Sequence, residues 1–375
     1  MTEVAVVKAE SYDNRVVENA MTEALSRLGG MEQFIKPGET VLLKINMLEG
    51  LPPDKAVSTH PEVVRALIQT VKACGAIPRV GDSPAISTTE KAAEKCGIAA
   101  ICREENTELI PFRDTVAIAF SDGHLVHRFT IAQAVRAADK VISVAKMKTH
   151  SLTGVTGAVK NLFGCIVGPD KAQFHLRMKR QEDFAAMLVD LAGLINPVLY
   201  IVDGIIGMEG RGPRNGTPVA GGVLLAGANG FAVDLVMANI MGLSDHHLPV
   251  AARALELRLT PQLSALVVTG GGRDIRHHFQ AAQSYSSLDH RLPKALVAFA
   301  RNRLTALPEV DEHCIACGRC VEHCPPQAIS IKDGRAYIDY DACIRCYCCQ
   351  ELCPANAVCL RESKLLQLVR RYCQK

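Results

Sequence analysis

Tryptophan is absent from the 375 residues, and aromatic side chains make up only 5%. Rings so scarce offer no platform on which unpaired bases could stack. Charge of one sign is not in excess either: 42 Lys and Arg face 39 Asp and Glu, for a formal net charge of +3. A nucleic-acid partner would require a basic footprint, so that class is set aside. No charge-free apolar run reaches the roughly 18 residues that a membrane-spanning helix needs. Met1-Thr2-Glu3 leads straight into Val4-Ala5-Val6-Val7, far short of the apolar core of a secretory leader. The expectation is a cytoplasmic protein with no transmembrane segment.

Cysteine is abundant and unevenly placed. Of 15, those at 314, 317, 320, 324, 343, 346, 348, 349, 353, 359 and 373 crowd into the C-terminal sixth of the chain. A disulfide framework needs an oxidising compartment, so clustered thiols here point to metal. Cys314, Cys317, Cys320 and Cys324 form C-x2-C-x2-C-x3-C followed by Pro325; Cys343, Cys346, Cys349 and Cys353 repeat it before Pro354. Each cysteine of the first set precedes its counterpart by 29 residues, the mark of an internal duplication. Three thiolates spaced by two residues wrap one corner of a cubane, and the fourth, carried away before proline, ligates the other cluster. One [4Fe–4S] cluster is therefore assigned Cys314, Cys317, Cys320 and Cys353, the other Cys343, Cys346, Cys349 and Cys324. Zinc is the alternative, but quartets ending in C-x3-C-P are not zinc-ribbon spacing. Residues 309–361 resemble a bacterial two-cluster ferredoxin. Cys348 is read as a non-ligand, because ligation through it would break the spacing. Cys74, Cys96, Cys102, Cys165, Cys359 and Cys373 are read as small hydrophobes.

Upstream, short β-branched runs alternate with stretches of helical periodicity. Strands are predicted at 4–8, 40–46, 77–80, 140–145, 198–202, 222–226 and 265–268, and helices at 15–28, 61–74, 87–96, 181–194 and 232–241. This pattern predicts an α/β domain over 1–284 with a mostly parallel open sheet and flanking helices, extra strands or a hairpin being inserted near 108–129. A basic amphipathic linker is expected at 285–307, a small α+β ferredoxin-like domain at 308–362 and a helix at 363–375. The two amphipathic stretches read either as helices packed on a domain or as peripheral membrane or partner contacts.

Ligands of open parallel sheets bind beyond the carboxyl ends of strands. Four predicted strand ends carry unusual polar groups: Lys44 with Asn46, Asp82, the run Lys146–His150, and Asp203. Thr153-Gly154 followed by 155–163 reads as a cap and a helix whose first amides attract an anion. Lys148, Lys160 and Lys171 add charge for a phosphate or carboxylate, and His150 and His175 suit proton transfer or metal ligation. The expected pocket has Lys148, His150, Lys160 and His175 as catalytic groups. Lys44, Asn46, Asp82, Thr153, Gly154, Asn161, Asp203 and Glu209 would bind a small anionic ligand or a second, unidentified organic cofactor. Asp203 to Pro213 reads as an active-site loop hinged on glycine. It does not match the dinucleotide fingerprint, and no phosphate-cradling P-loop occurs.

Residues 1 to about 280 resemble the family catalogued as domain of unknown function 362, often fused to a ferredoxin domain. The resemblance rests on Ser58-Thr59-His60-Pro61, Gly81-Asp82-Ser83-Pro84, Lys146–His150 with Thr153–Thr156, Lys160-Asn161, Asp203-Gly204 with Gly207–Gly210, and Ala232-Val233-Asp234. It implies an iron–sulfur protein and little further chemistry. Lys160 to Pro169 is also similar to lactate racemase-type proteins carrying a nickel-pincer nucleotide, although their metal-binding histidine pattern is not evident. The sequence thus supports a ferredoxin-dependent reductase acting on a small anion. It also supports a non-catalytic carrier or maturation protein docking a redox partner, ferredoxin or reductase-like, or a metal or cluster scaffold.

Overall fold

The computed structural model describes residues 2–85, 87–178, 180–244, 248–282, 306–361 and 363. Two compact units emerge, one of residues 1–171 with 185–282, the other of 172–184 with the chain after Ala282. The expected boundary near 284 thus acquires an addition, the segment 172–184. The predicted linker, save its last two residues, and the C-terminal helix beyond 363 lie outside the described residues.

The larger unit is built on a nine-stranded sheet. Its strands are β1 (Glu3–Lys8), β2 (Thr40–Lys44), β3 (Ile77–Asp82), β4 (Glu108–Pro111), β7 (Lys140–His150), β8 (Gly154–Thr156), β9 (Leu199–Glu209), β10 (Thr217–Gly227) and β11 (Val267–Thr269). The order is β11-β1-β10-β9-β7-β2-β3-β4, with β8 hairpinned onto β7. The run from β9 to β4 is parallel, while β10 is antiparallel to both β1 and β9. A separate hairpin, β5 (Thr115–Ala119) with β6 (Arg128–Ala132), accounts with β4 for the extra strands expected near 108–129.

Side chains alternate between the two faces of each strand. Ala5, Val7, Val41, Leu43, Val80, Ile142, Val144, Leu199, Ile201, Leu224 and Ala226 share a core with helices α1 (Asn14–Arg27), α2 (Pro61–Ala73), α3 (Thr89–Lys95) and α4 (Ile98–Glu104). The short α5 (Gln133–Ala137) follows β6. The opposite face meets α8 (Gly230–Ile240), which packs on β1, β9 and β10 and against α9 (Pro249–Glu256). Helix starts are locally encoded. Asp13 accepts the N–H groups of Arg15 and Val16 at 3.0 and 3.4 Å, and Pro61 opens α2 while the His60 ring caps the Glu62 amide at 3.2 Å. The remaining helices are α6 (Pro169–Arg177) and α7 (Gln181–Ile195).

The smaller unit repeats one pattern twice. A cysteine loop leads into α10 (Arg319–Glu322) and β13 (Ile329–Lys332), and 29 residues later another leads into α11 (Cys348–Leu352) and β15 (Val358–Arg361). Strand pairing interlocks the halves: β12 (Leu307–Val310) runs antiparallel to β15, and β13 to β14 (Arg335–Ile338).

On α7, Asp190 has a fully buried carboxylate that accepts the backbone N–H groups of His124, Leu125 and Val126 at 2.8, 2.8 and 2.9 Å. It fastens the β5–β6 turn to the unit. Asp190→Ala strands three donors, so we expect a loss of roughly 3 kcal/mol in urea unfolding with an unchanged m-value. A loss below about 1 kcal/mol would contradict this fastening role.

Candidate functional site

Three lysines with no exposed surface lie at the carboxyl ends of the parallel strands. An ammonium taken out of water must recover its hydrogen bonds and charge partner inside the protein. Lys146, opposite Asp203 in the β7–β9 register, bonds its Oδ2 at 2.8 Å and the Tyr12 hydroxyl at 2.6 Å. Tyr12 in turn donates to Asp203 Oδ1 at 2.8 Å and stacks on the His60 ring, with centroids 3.5 Å apart. The His60 backbone N–H closes this centre on Asp203 Oδ2 at 2.9 Å. Burial outweighs the attraction of Asp203 and, with the Lys146 charge, lowers the His60 pKa to about 4. Its ring is therefore neutral at pH 7, with the proton on Nε2 because Nδ1 accepts from Glu62. Burial, then the Asp203 charge, drives the Tyr12 hydroxyl upward, so it stays a donor.

The second centre lies on the other side of β2, as the alternation of Lys44 with Leu43 requires. Lys44 pairs with Asp82 Oδ1 at 2.8 Å and bonds Asn161 Oδ1 at 3.1 Å and the Ile45 carbonyl at 2.6 Å. Asp82 also accepts the amides of Met47 and Ser83, both at 2.8 Å. Asn161 donates to the Lys44 carbonyl and to Ser143. Asn46 reaches the rest of the edge, its Oδ1 accepting from Lys148 at 2.7 Å and its amide lying 3.4 Å from Asn161. Lys171 bonds the carbonyl and hydroxyl of Ser83. Burial, and then the Lys44 and Lys160 charges against the pull of Asp82, lower Lys171 to about 8. Gly164 makes this packing possible: a Cβ there would sit 2.3 Å from Asp82 Oδ1 and 2.7 Å from Lys44 Nζ.

Several expectations need correction. Residues 155–163 are not a helix: Gly154–Thr156 pairs with β7 and Lys160–Cys165 is a 3-10 turn, so no capped helix presents its amides to an anion. Gly154 has φ +75°, and a Cβ on Gly157 would strike Asp234 at 2.0 Å, so the chain turns back on itself here. The run Lys146–His150 is ladder rather than loop, with His150 facing Gly154 across the hairpin and its Nδ1 accepting the amides of Leu152 and Thr153. The glycine-rich stretch from Asp203 continues β9 to Glu209 against β10, and is not a hinged loop until after it. Glu209 accepts the Gln280 amide at 2.8 Å. His175 falls on α6 in the smaller unit, where it stacks on Phe184 at 4.8 Å.

Thr153 and Lys160 are brought together elsewhere. They line a small cavity with Asp234, Phe231, Leu248, Val250 and Ala251. Asp234 accepts the amides of Ala158 and Val159 at 2.6 and 3.1 Å, yet burial raises its pKa from 3.8 to about 7. Sequence reasoning missed Tyr12 and the buried Glu49–Arg214 pair, bonded at 2.7 and 2.8 Å. No local signal marks them, because Tyr12 bonds Asp203 across 191 positions and Glu49 bonds Arg214 across 165.

In the smaller unit, Cys314, Cys317, Cys320 and Cys353 wall one cavity together with apolar residues such as Val310, Ile331 and Val358. Among the described residues, no three His, Cys, Asp or Glu side chains converge as tightly as a single metal ion requires. Around Cys324 the neighbouring thiols are Cys346 and Cys343, and around Cys349 they include Cys346, Cys343 and Cys324. Backbone amides of Ala328, Ala357 and Ala336 donate to the sulfurs of Cys324, Cys353 and Cys314 at 3.2, 3.2 and 3.4 Å. Four thiols around a space, with amides aimed at sulfur, fit a cubane cluster. Cys348 is hydrogen-bonded to Cys346. That bond, with burial, holds the Cys348 thiol well above the usual range while drawing Cys346 below it.

Asp234 offers a check on the electrostatics. Unfolded chains lose this proton near pH 3.8 and the folded protein near 7, so its stabilising contribution is complete below 3.8 and drains away as pH rises through 7. We expect Asp234→Asn, measured by urea midpoints between pH 4 and 8, to remove up to about 1.4 kcal/mol per pH unit of downward slope. Identical slopes in both proteins would refute the raised value.

With this geometry established, comparison with known proteins places the chain. The family described as Domain of unknown function (DUF362) matches residues 41–239, and a 4Fe-4S dicluster domain matches residues 313–357. A thylakoid-associated protein of Synechocystis sp. is 36% identical over 264 residues, covering 70% of this chain and 82% of that protein. Among solved structures, the lactate racemase apoprotein from Thermoanaerobacterium thermosaccharolyticum aligns at TM-score 0.38 and 11% identity, over 59% of this chain and 54% of its own. A Thermotoga maritima protein aligns at TM-score 0.40 and 13% identity, over 69% and 61%. This chain spans little more than half the length of these solved structures. Among the described residues, no helix is long and apolar enough to cross a membrane. The chain belongs to the DUF362 family and carries a C-terminal 4Fe-4S dicluster domain, which gives it iron–sulfur binding and the capability for electron transfer.

Proposed function

We propose that the protein passes single low-potential electrons through two [4Fe–4S] clusters to or from a small anionic substrate or cofactor held by the α/β unit, as a ferredoxin-dependent reductase does. The observation that carries this reading is the cavity walled by Cys314, Cys317, Cys320 and Cys353, which draws its fourth thiol from the other motif. Cys343, Cys346, Cys349 and Cys324 would hold the second cluster. Bound clusters supply reversible one-electron chemistry at low potential. Cys317 is exposed and its neighbour Ile315 is 65% exposed, a suitable edge for a redox partner protein, ferredoxin or reductase-like.

In the α/β unit, Lys44 and Lys171 share the charge of Asp82, which leaves positive charge for a phosphate or carboxylate. Lys148, Lys160 and His150 would orient such a ligand and supply its proton. A second reading, a non-catalytic carrier or maturation partner docking another enzyme, is favoured by the protein oxygens already bonded to Lys44, Lys146 and Lys148. Peripheral contact with a membrane is compatible with both readings, and the Synechocystis relative is described as thylakoid-associated.

Anaerobic reconstitution should give about eight irons per chain by the two-cubane count. Cys353→Ser is expected to erase the same electron paramagnetic resonance signal as Cys317→Ser, and Cys324→Ser the same as Cys346→Ser. If Cys353→Ser matches Cys346→Ser instead, the exchanged ligation is wrong. Inorganic phosphate should raise the melting temperature of the wild type more than that of Lys171→Met. Equal responses would remove the anion site and leave the carrier reading.

A further inference from the structure

The duplication pairs residue n of the first motif with residue n+29 of the second, so any difference between paired positions distinguishes the two cluster sites. Some pairs near the thiols match: Ala328 with Ala357, both donating to cysteine sulfur, and Pro325 with Pro354. Others do not. Ala316, between Cys314 and Cys317, is answered by Arg345, between Cys343 and Cys346. Both adopt left-handed backbone, φ 51° and 61°, so the loops have the same shape and differ in what they carry.

Arg345 is 7% exposed. Its guanidinium folds back over its own loop, donating to the Tyr340 carbonyl at 2.8 Å and to the Cys343 carbonyl. A permanent positive charge is thereby fixed beside the carbonyl of one thiol-bearing residue and one residue from another. Guanidinium does not lose its proton in proteins, so this charge persists at every working pH. Adding an electron to a four-thiolate cluster deepens its negative charge, and a nearby buried cation favours that reduced state more than water would.

We infer that Arg345 is a positioning residue for electrons: it holds up the reduction potential of the cluster at Cys343, Cys346, Cys349 and Cys324, a bias that the other site, with Ala316, lacks at the matching position. The inference rests on the two-cluster reading proposed above. In the step concerned, one electron leaves the first cluster, which is oxidised, and enters the second, which is reduced. No proton or bond changes hands, and an external low-potential donor such as dithionite supplies the electron in vitro.

The test is a redox titration of the full chain, reconstituted anaerobically and followed by electron paramagnetic resonance. Arg345→Gln keeps hydrogen-bond donors for the two carbonyls but removes the charge, whereas Arg345→Lys keeps the charge. We expect Arg345→Gln to lower one of the two potentials by an amount equal to a roughly tenfold shift in electron occupancy, ~59 mV for one electron, with the other unmoved and Arg345→Lys close to wild type. Ala316→Lys should raise the other potential and would decide the matter alone if Arg345→Gln fails to load iron. Unmoved potentials, or equal shifts in the Gln and Lys variants, overturn the inference and make Arg345 a loop staple. A wild type without two clusters overturns the underlying reading instead.

Discussion

A lysine without water must be given oxygen, and the carboxyl edge of the large sheet is organised around that requirement. Lys44, Lys146 and Lys148 each end on protein oxygens, and two of them on carboxylates. Breaking one such buried pair costs about 3–5 kcal/mol, because the remaining charge is stranded. That cost fixes neighbouring choices: glycine at 164, serine at 143, asparagine at 161 and the stacked rings of Tyr12 and His60. Interior ion pairs are poor sources of stability compared with apolar packing. Concentrating them at the ligand-binding edge of a parallel sheet is a reason to look for chemistry there.

The alternation of strand and helix was legible in the sequence, because β-branched runs and three- and four-residue periodicity report burial directly. So was the placement of Lys44, Asp82, Lys146 and Asp203 at strand ends along one edge, but not their division into two centres on opposite faces, Lys146 with Asp203 and Lys44 with Asp82. The hairpin at Gly154 was not legible. Val155–Phe163 has helical spacing, and what overrules it is tertiary: Asp234 and Asp82, distant in sequence, occupy the space beside Gly157 and Gly164. Strand length failed for a related reason. Lys146 and Lys148 look like the start of a loop until their partners across the fold are known. Tyr12 had no motif at all, and Asp203, its partner, lies 191 positions away.

The smaller unit reverses this balance. Cysteine spacing alone proposed the grouping of Cys353 with the first motif, and the cavity assembles those same four thiols. Spacing is informative here because the geometry is local, set by loops of two and three residues. Differences between the halves are invisible to a motif and appear only when the repeats are laid over one another: Arg345 against Ala316, Cys348 against Arg319, Tyr347 against Gly318.

The interlock of β12 with β15 bears on biosynthesis. The strand that begins the module finds its mate only at Val358–Arg361, and the first cavity lacks a wall until Cys353 has been translated. A nascent chain paused between the repeats exposes thiols with nowhere to close. The first four-thiol wall is complete only when the second repeat is present, so a half-length module is not a smaller version of the whole.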